Sequence, residues 1–79
     1  MTVILDAREL GEKKQAHAYL SRIFSFPDYY GNNLDALYDC LAEYQHLTIC
    51  LLHVEDAGEY FPKIQSVLED LEDVKVRYL

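Results

Sequence analysis

Three carboxylates recur at intervals of four, Asp35, Asp39 and Glu43, shortly after two adjacent tyrosines, Tyr29 and Tyr30. Residues four apart share a helix face, so on a helix these acids form one stripe. Like charges at that spacing repel by roughly 0.2–0.5 kcal/mol per pair. Only Asp35 lies near enough to the helix start to gain much from the macrodipole. A carboxylate pair can serve as general acid and base, but that work needs a cleft to hold a substrate. An acidic stripe beside exposed tyrosines can instead hold something cationic, since Tyr is an amphipathic contact residue of interfaces. A solvated helix face is the chemically empty alternative. For a small convex domain with no expected pocket, catalysis is disfavoured, and the cation-binding and solvated readings stay open.

The other reactive side chains form no recognisable constellation. His17, His46 and His53 fall in three separate segments without HxxxH or HExxH spacing, so no metal site is expected. His53 ends an apolar run and reads as a satisfied structural histidine. Cys40 falls toward the apolar arc of its helix with no base placed beside it. Cys50 lies inside an apolar run. Both read as reduced, buried thiols of a cytoplasmic protein, and two cysteines without CxxC spacing define no disulfide. Gly11, Gly31 and Gly58 are isolated turn glycines, so no phosphate-cradling loop and no cofactor are expected.

The elements that position these residues follow from periodicity. Thr2–Asp6 is β-branched and predicts a buried strand. From Glu12 to Phe24, Ala16, Tyr19, Leu20, Ile23 and Phe24 recur as one helical face, with Pro27 beyond as a stop. A second helix is expected from about Asn33 to Tyr44, with Asn32 or Asn33 as N-cap and Leu34, Leu37, Tyr38, Leu41 and Tyr44 on its apolar arc. Leu47–Val54 reads as the strongest strand, central or buried on both faces. Gly58 and Pro62 bracket the start of a third helix whose stripe is Ile64, Val67, Leu68 and Leu71. Val74–Leu79 alternates and predicts a strand with one wetter face. The order β-α-α-β-α-β implies parallel pairing. The expected fold is a single α/β domain over residues 1–79, two-layered, with a three-stranded parallel sheet and three helices.

Composition narrows the partners. The 79 residues carry 14 acids and 7 Lys or Arg, a formal charge of −7, and 51% are hydrophobic. That supports one compact core and argues against disorder. Phosphate binding needs clustered bases, so a nucleic acid is not an expected direct partner; a basic protein surface is. The N-terminal residues lack a signal-peptide pattern, and the longest apolar run is too short to span a bilayer, so a cytoplasmic location is expected. No long apolar stripe is left over, which predicts a monomer when free.

The segment Pro27-Asp-Tyr-Tyr-Gly-Asn-Asn-Leu-Asp-Ala-Leu-Tyr-Asp-Cys-Leu41 resembles the signature of the barstar family of ribonuclease inhibitors. The shared pattern is Pro, acid, Tyr-Tyr-Gly, Asn-Leu-Asp-Ala-Leu, aromatic, Asp-Cys-Leu. The rest of the chain is compatible in element order and much less similar in residues. The resemblance implies an immunity protein that plugs the active site of a basic, secreted ribonuclease in a 1:1 complex. Asp39 would then enter the position of a substrate phosphate, with Asp35 accepting hydrogen bonds beside it. Tyr29 would stack near the catalytic imidazole, Tyr30 would lie beside it in the contact loop, and Gly31 would allow close backbone approach. Asn33 and Leu34 would line the contact. Tyr38 stands where the family has Trp, and Asp70 roughly matches an auxiliary glutamate of the last helix. Glu43 adds a charge where the family has a small residue, and His46 follows where it has an acid. These departures bear on which target is bound. The alternative is an interaction module of the same fold acting on another toxin or a regulatory partner.

Overall fold

The computed structural model describes residues 1–79 and is an α/β domain of two layers. Strand β1 (Thr2–Asp6) leads through a 3-10 turn (Ala7–Leu10) into helix α1 (Lys13–Phe24). A loop then joins α2 (Leu34–Leu41). Strand β2 (Leu47–Leu52) is followed by a second 3-10 turn (Val54–Asp56), α3 (Phe61–Asp70) and β3 (Val74–Tyr78). The sheet order is β1-β2-β3 and both pairings are parallel, Thr2 opposite Thr48 and Leu47 opposite Val74. Three parallel strands and three helices are the architecture expected from the element order.

Local chemistry sets the boundaries. Glu12 lies outside α1 and caps it, its carboxylate accepting from the Lys14 and Gln15 amides. Ser25 ends that helix in a left-handed conformation, φ 53°. Of the two asparagines offered as caps for α2, Asn33 takes the role: its Oδ1 accepts from the Ala36 amide at 2.8 Å. Asn32 instead adopts a left-handed φ of 53°, which Asn tolerates better than most residues. Helix α2 is shorter than its periodicity predicts. It ends at Leu41, and a turn closed by Tyr44 N–H to the Leu41 carbonyl carries the chain toward β2. Strand β2 likewise ends at Leu52, because His53 turns the backbone left-handed, φ 58°.

Alternation along each strand separates an inner from an outer sheet face. Leu5, Leu47, Ile49 and Leu51 point inward and are fully or almost fully buried with Leu20, Leu37, Leu41, Ile64 and Leu68 in one cluster. Each such side chain contributes roughly 1.5–3 kcal/mol through burial. The outer face is open: Ile4 is 58% exposed, and Lys75 and Arg77 stand exposed on β3. The face of α1 is rotated from expectation. Ala16, His17, Leu20 and Phe24 are buried, whereas Ile23 is exposed and Tyr19 only half-buried, its hydroxyl accepting from the Asp6 amide at 3.0 Å.

One backbone contact ties the start of α1 to the approach to α3. Gly11, before α1, and Gly58, before α3, approach so closely that a Cβ on Gly11 would sit 2.6 Å from the Gly58 Cα and N. The Tyr60 amide donates to the Gly11 carbonyl across the same junction. Glycine is required there by the neighbouring backbone, since Gly11 itself has an ordinary φ of −90°.

Candidate functional site

The acids separate into two environments. Asp35 and Asp39 are exposed on α2, and Glu43 is exposed on the turn beyond its end, so the stripe is not carried by helix alone. No ion pair involves any of them; the one ion pair in the molecule joins Arg8 and Asp6 at 2.7 Å. Asp39 and Glu43 line an open groove of about 410 Å³ with Phe24, Phe26, Pro27, Tyr29 and Cys40. No Lys, Arg or His borders it. Asp35 borders a different groove, shared with Asn33, Leu34 and Tyr60 and flanked by Lys13 and Lys63. Of the three acids, Asp39 and Glu43 therefore share a groove without a basic neighbour, whereas Asp35 does not. Burial pushes the Cys40 thiol up, and Glu43 and Asp39 push it further, so it stays protonated near neutral pH. Where a pocketless surface was expected, the end of α1 and the loop after it form this open groove with the second half of α2 and the turn beyond.

The two loop tyrosines, expected to be exposed together, part company. Tyr29 is 88% exposed. Tyr30 is 7% exposed, packed at 4.7 Å between ring centroids against Phe26, and its hydroxyl lies 2.7 Å from His17 Nδ1. Tyr30 therefore offers no free surface and anchors the loop from inside. Its hydroxyl is pushed well above its usual range, chiefly by burial, so it stays protonated at any physiological pH. Gly31, Asn32 and Asn33 follow on the surface and Leu34 is half-buried. Asn33 Nδ2 donates to the Gly31 carbonyl at 3.2 Å, which couples the loop tip to the helix cap.

Tyr38 is 42% exposed and lines a third groove with Leu41, Ala42, Tyr44 and the α3–β3 turn residues Glu72 and Asp73. Asp70, the last residue of α3, is exposed and lines none of these grooves. Glu72 and Asp73, in the turn after α3, are the acids that share the Tyr38 groove at the α2 edge. No spacing in the sequence singles them out; the buried Leu71 and the turn that follows it bring them there.

The structural histidine is not the one expected. His53, expected to be structural, is exposed. It brings a ligand atom within 4.8 Å of those of Glu55 and Asp56. All three are exposed, and the Arg8 guanidinium acts on Asp56, so a cation there would compete with a resident positive charge. His17 is the buried one, 0% exposed, with Nε2 2.8 Å from the Tyr60 hydroxyl. No helix is long and apolar enough to cross a membrane.

Fold and surface together define a small two-layer α/β domain whose distinctive chemistry is an acidic helix edge beside a pinned, tyrosine-tipped loop. A family model described as "Barstar (barnase inhibitor)" matches residues 1–78, and the chain belongs to the barstar family, a family of inhibitors. It is 34% identical over 77 residues to "Putative ribonuclease inhibitor YrdF" of Bacillus subtilis (strain 168), covering 90% of this chain and 85% of the relative.

Proposed function

We propose that this protein is a cytoplasmic immunity protein that inhibits a barnase-type, basic, secreted ribonuclease by filling its active site with α2 and the loop before it. The carrying observation is the groove in which Asp39 and Glu43 stand exposed, without a basic neighbour, beside the 88% exposed Tyr29. A ribonuclease cleft is basic because it must hold RNA phosphates. Carboxylates on a pre-formed helix imitate those phosphates, and long-range attraction steers the two proteins together. Asp39 and Asp35 take the phosphate-like roles and Tyr29 stacks on the enzyme. Gly31, Asn33 and Leu34 give the close backbone contact, while Tyr30 holds the loop that presents them. Tyr38 and Glu43 extend the contact along the α2 edge, and Asp70 stands at the rim. No covalent step is involved; desolvated charge pairs at the centre of a 1:1 complex give the slow release.

Titration of the purified chain into a barnase-type ribonuclease assay tests this. Expected is stoichiometric inhibition that Asp39→Ala weakens by about 30-fold or more, as loss of one member of a buried charge pair does. Asp70→Ala, removing a rim charge, changes it by a few-fold at most. Intact chain that leaves the enzyme fully active overturns the target class.

A further inference from the structure

We propose that the free edge of β3 is a second interaction surface, which adds an extended segment of another protein carrying acidic side chains at two alternate positions. The site goes beyond the proposed function: it lies on the sheet and not on α2, and its charge is of the opposite sign.

The free edge follows from the ladder. Strand β3 pairs only with β2, and the sheet ends there. The Leu47 amide donates to the Asp73 carbonyl, and the Leu79 amide donates to the Leu51 carbonyl. Backbone groups alternate in direction along a strand, so Lys75 and Arg77 also direct both of theirs to β2. Val74, Val76 and Tyr78 therefore turn their N–H and C=O groups away from the sheet, and no backbone bond outside the ladder reaches them. Tyr78 bonds through its hydroxyl instead, which accepts from Gln65 and donates to Glu69 on the inner face. The opposite edge is closed at one end: the Asp6 amide of β1 donates to the Tyr19 hydroxyl, and the Asp6 carboxylate pairs with Arg8.

A bare row of backbone groups templates another strand. Charge decides which strand it accepts. Lys75 and Arg77 flank the free groups and stand exposed on the outer sheet face. Neither is in an ion pair, although the chain carries 14 acids against 7 Lys or Arg. Their neighbours across the ladder are Thr48 and Cys50, which offer no carboxylate. Glu72 and Asp73 lie before the strand and share an open groove with Lys75 without pairing with it. A second copy of this chain does not fit the edge. Antiparallel pairing of two β3 strands about Val76 sets Lys75 opposite Arg77 of the other copy. A shift by two residues either way sets Lys75 opposite Lys75, or Arg77 opposite Arg77. Each antiparallel register that joins the free groups over three or more residues of both strands thus opposes like charges, which is destabilising. Carboxylates opposite Lys75 and Arg77 remove that repulsion. On the inner face Glu69 stands beside Tyr78, so the positions between them must be uncharged. The chemistry that fits is an alternating segment, acidic outward and apolar inward. A basic nuclease is repelled by the same two cations, which keeps this edge distinct from the contact proposed for α2.

Two peptides test this: acetyl-Thr-Val-Glu-Val-Glu-Val-Thr-amide, and the same sequence with Lys in place of Glu. Each is titrated into the full-length protein while its backbone amides are followed by NMR. Before any peptide is added, the Val74, Val76 and Tyr78 amides should exchange with solvent faster than those of Lys75 and Arg77; equal or reversed rates overturn the free edge. The Glu peptide should shift the β3 amides and slow exchange at Val76 and Tyr78. Read at the Val76 amide, the Lys peptide should bind about tenfold more weakly or worse. Lys75→Glu/Arg77→Glu, at two exposed positions, should reverse that preference. A Glu peptide N-methylated at its Val residues, which has lost the donors that face β3, should not bind. The proposal is overturned by a Val76 amide that stays still in about 5 mM Glu peptide, a concentration that reveals even millimolar affinity. Equal affinity for the two peptides, shifts centred on Thr2 and Ile4 at the other edge, or undiminished binding of the N-methylated peptide overturns it as well. If the double variant does not fold, the peptide series on the wild type decides alone.

Discussion

Replacing Tyr30 by Phe removes one hydroxyl from a residue that is 7% exposed and leaves His17 Nδ1 without its hydroxyl partner. The expected loss of stability is about 1–3 kcal/mol, read from urea denaturation midpoints. Tyr29→Ala, one residue away but 88% exposed, should change stability by no more than about 0.5 kcal/mol while weakening inhibition, so stability and binding separate between adjacent positions. His17 also sets a pH dependence of global stability. Its imidazole is held below the ordinary 6.5 in the folded chain, by burial and then by Lys13, and returns to it on unfolding. The unfolded chain then binds the proton more readily. This contribution is complete above about pH 6.5, declines as pH falls from there, and levels off only below the depressed native value. Denaturation midpoints measured from pH 8 to pH 5 should fall on the acid side in the wild type and fall less in His17→Gln.

Among the elements, α2 depends most on a single side chain. Asn33 caps its first turn through the Ala36 amide and ties back to Gly31, so Asn33→Ala should cost about 1 kcal/mol, visible as a lower urea midpoint, and should loosen the loop tip as well. Gly11→Ala should destabilise by roughly 1–3 kcal/mol, because the added methyl meets Gly58 backbone that cannot yield without moving the start of α3. In a domain of this size each kcal/mol lowers the melting temperature by roughly 4–8 °C, which calorimetry resolves. These elements were largely legible in the sequence, since periodicity located every helix and strand and the segment from Pro27 to Leu41 located the site. What escaped it is non-local. Ile23 continues the spacing of the α1 stripe, yet His17 takes the buried place because its partners Tyr30 and Tyr60 arrive from 13 and 43 residues away. Leu41 ends α2 early because the chain must turn to enter the sheet at Leu47, which put Glu43 on a turn. The burial of Tyr30 could have been anticipated only from a knowledge of where α1 would lie.

For the molecule as a whole, the charge of −7 makes association with a basic partner sensitive to salt. Between about 0.05 and 0.5 M salt the association rate constant should drop by an order of magnitude or more, while dissociation, governed by the desolvated centre, changes much less; stopped-flow mixing distinguishes the two. A partner held mainly by apolar contact would show neither trend. The sheet register carries a further consequence, for kinetics. Thr2 pairs with Thr48, so β1 cannot join β2 until α1, the contact loop and α2 have all been gathered between them. Closing so long a span costs entropy before any pairing repays it, and places folding on the order of milliseconds to a second, slower than a helical bundle of equal length. The segment that must stay slack while the strands find each other is the same one that carries Tyr29, Asp35 and Asp39. A newly made chain therefore passes through an interval, set by topology, before that segment is held in place.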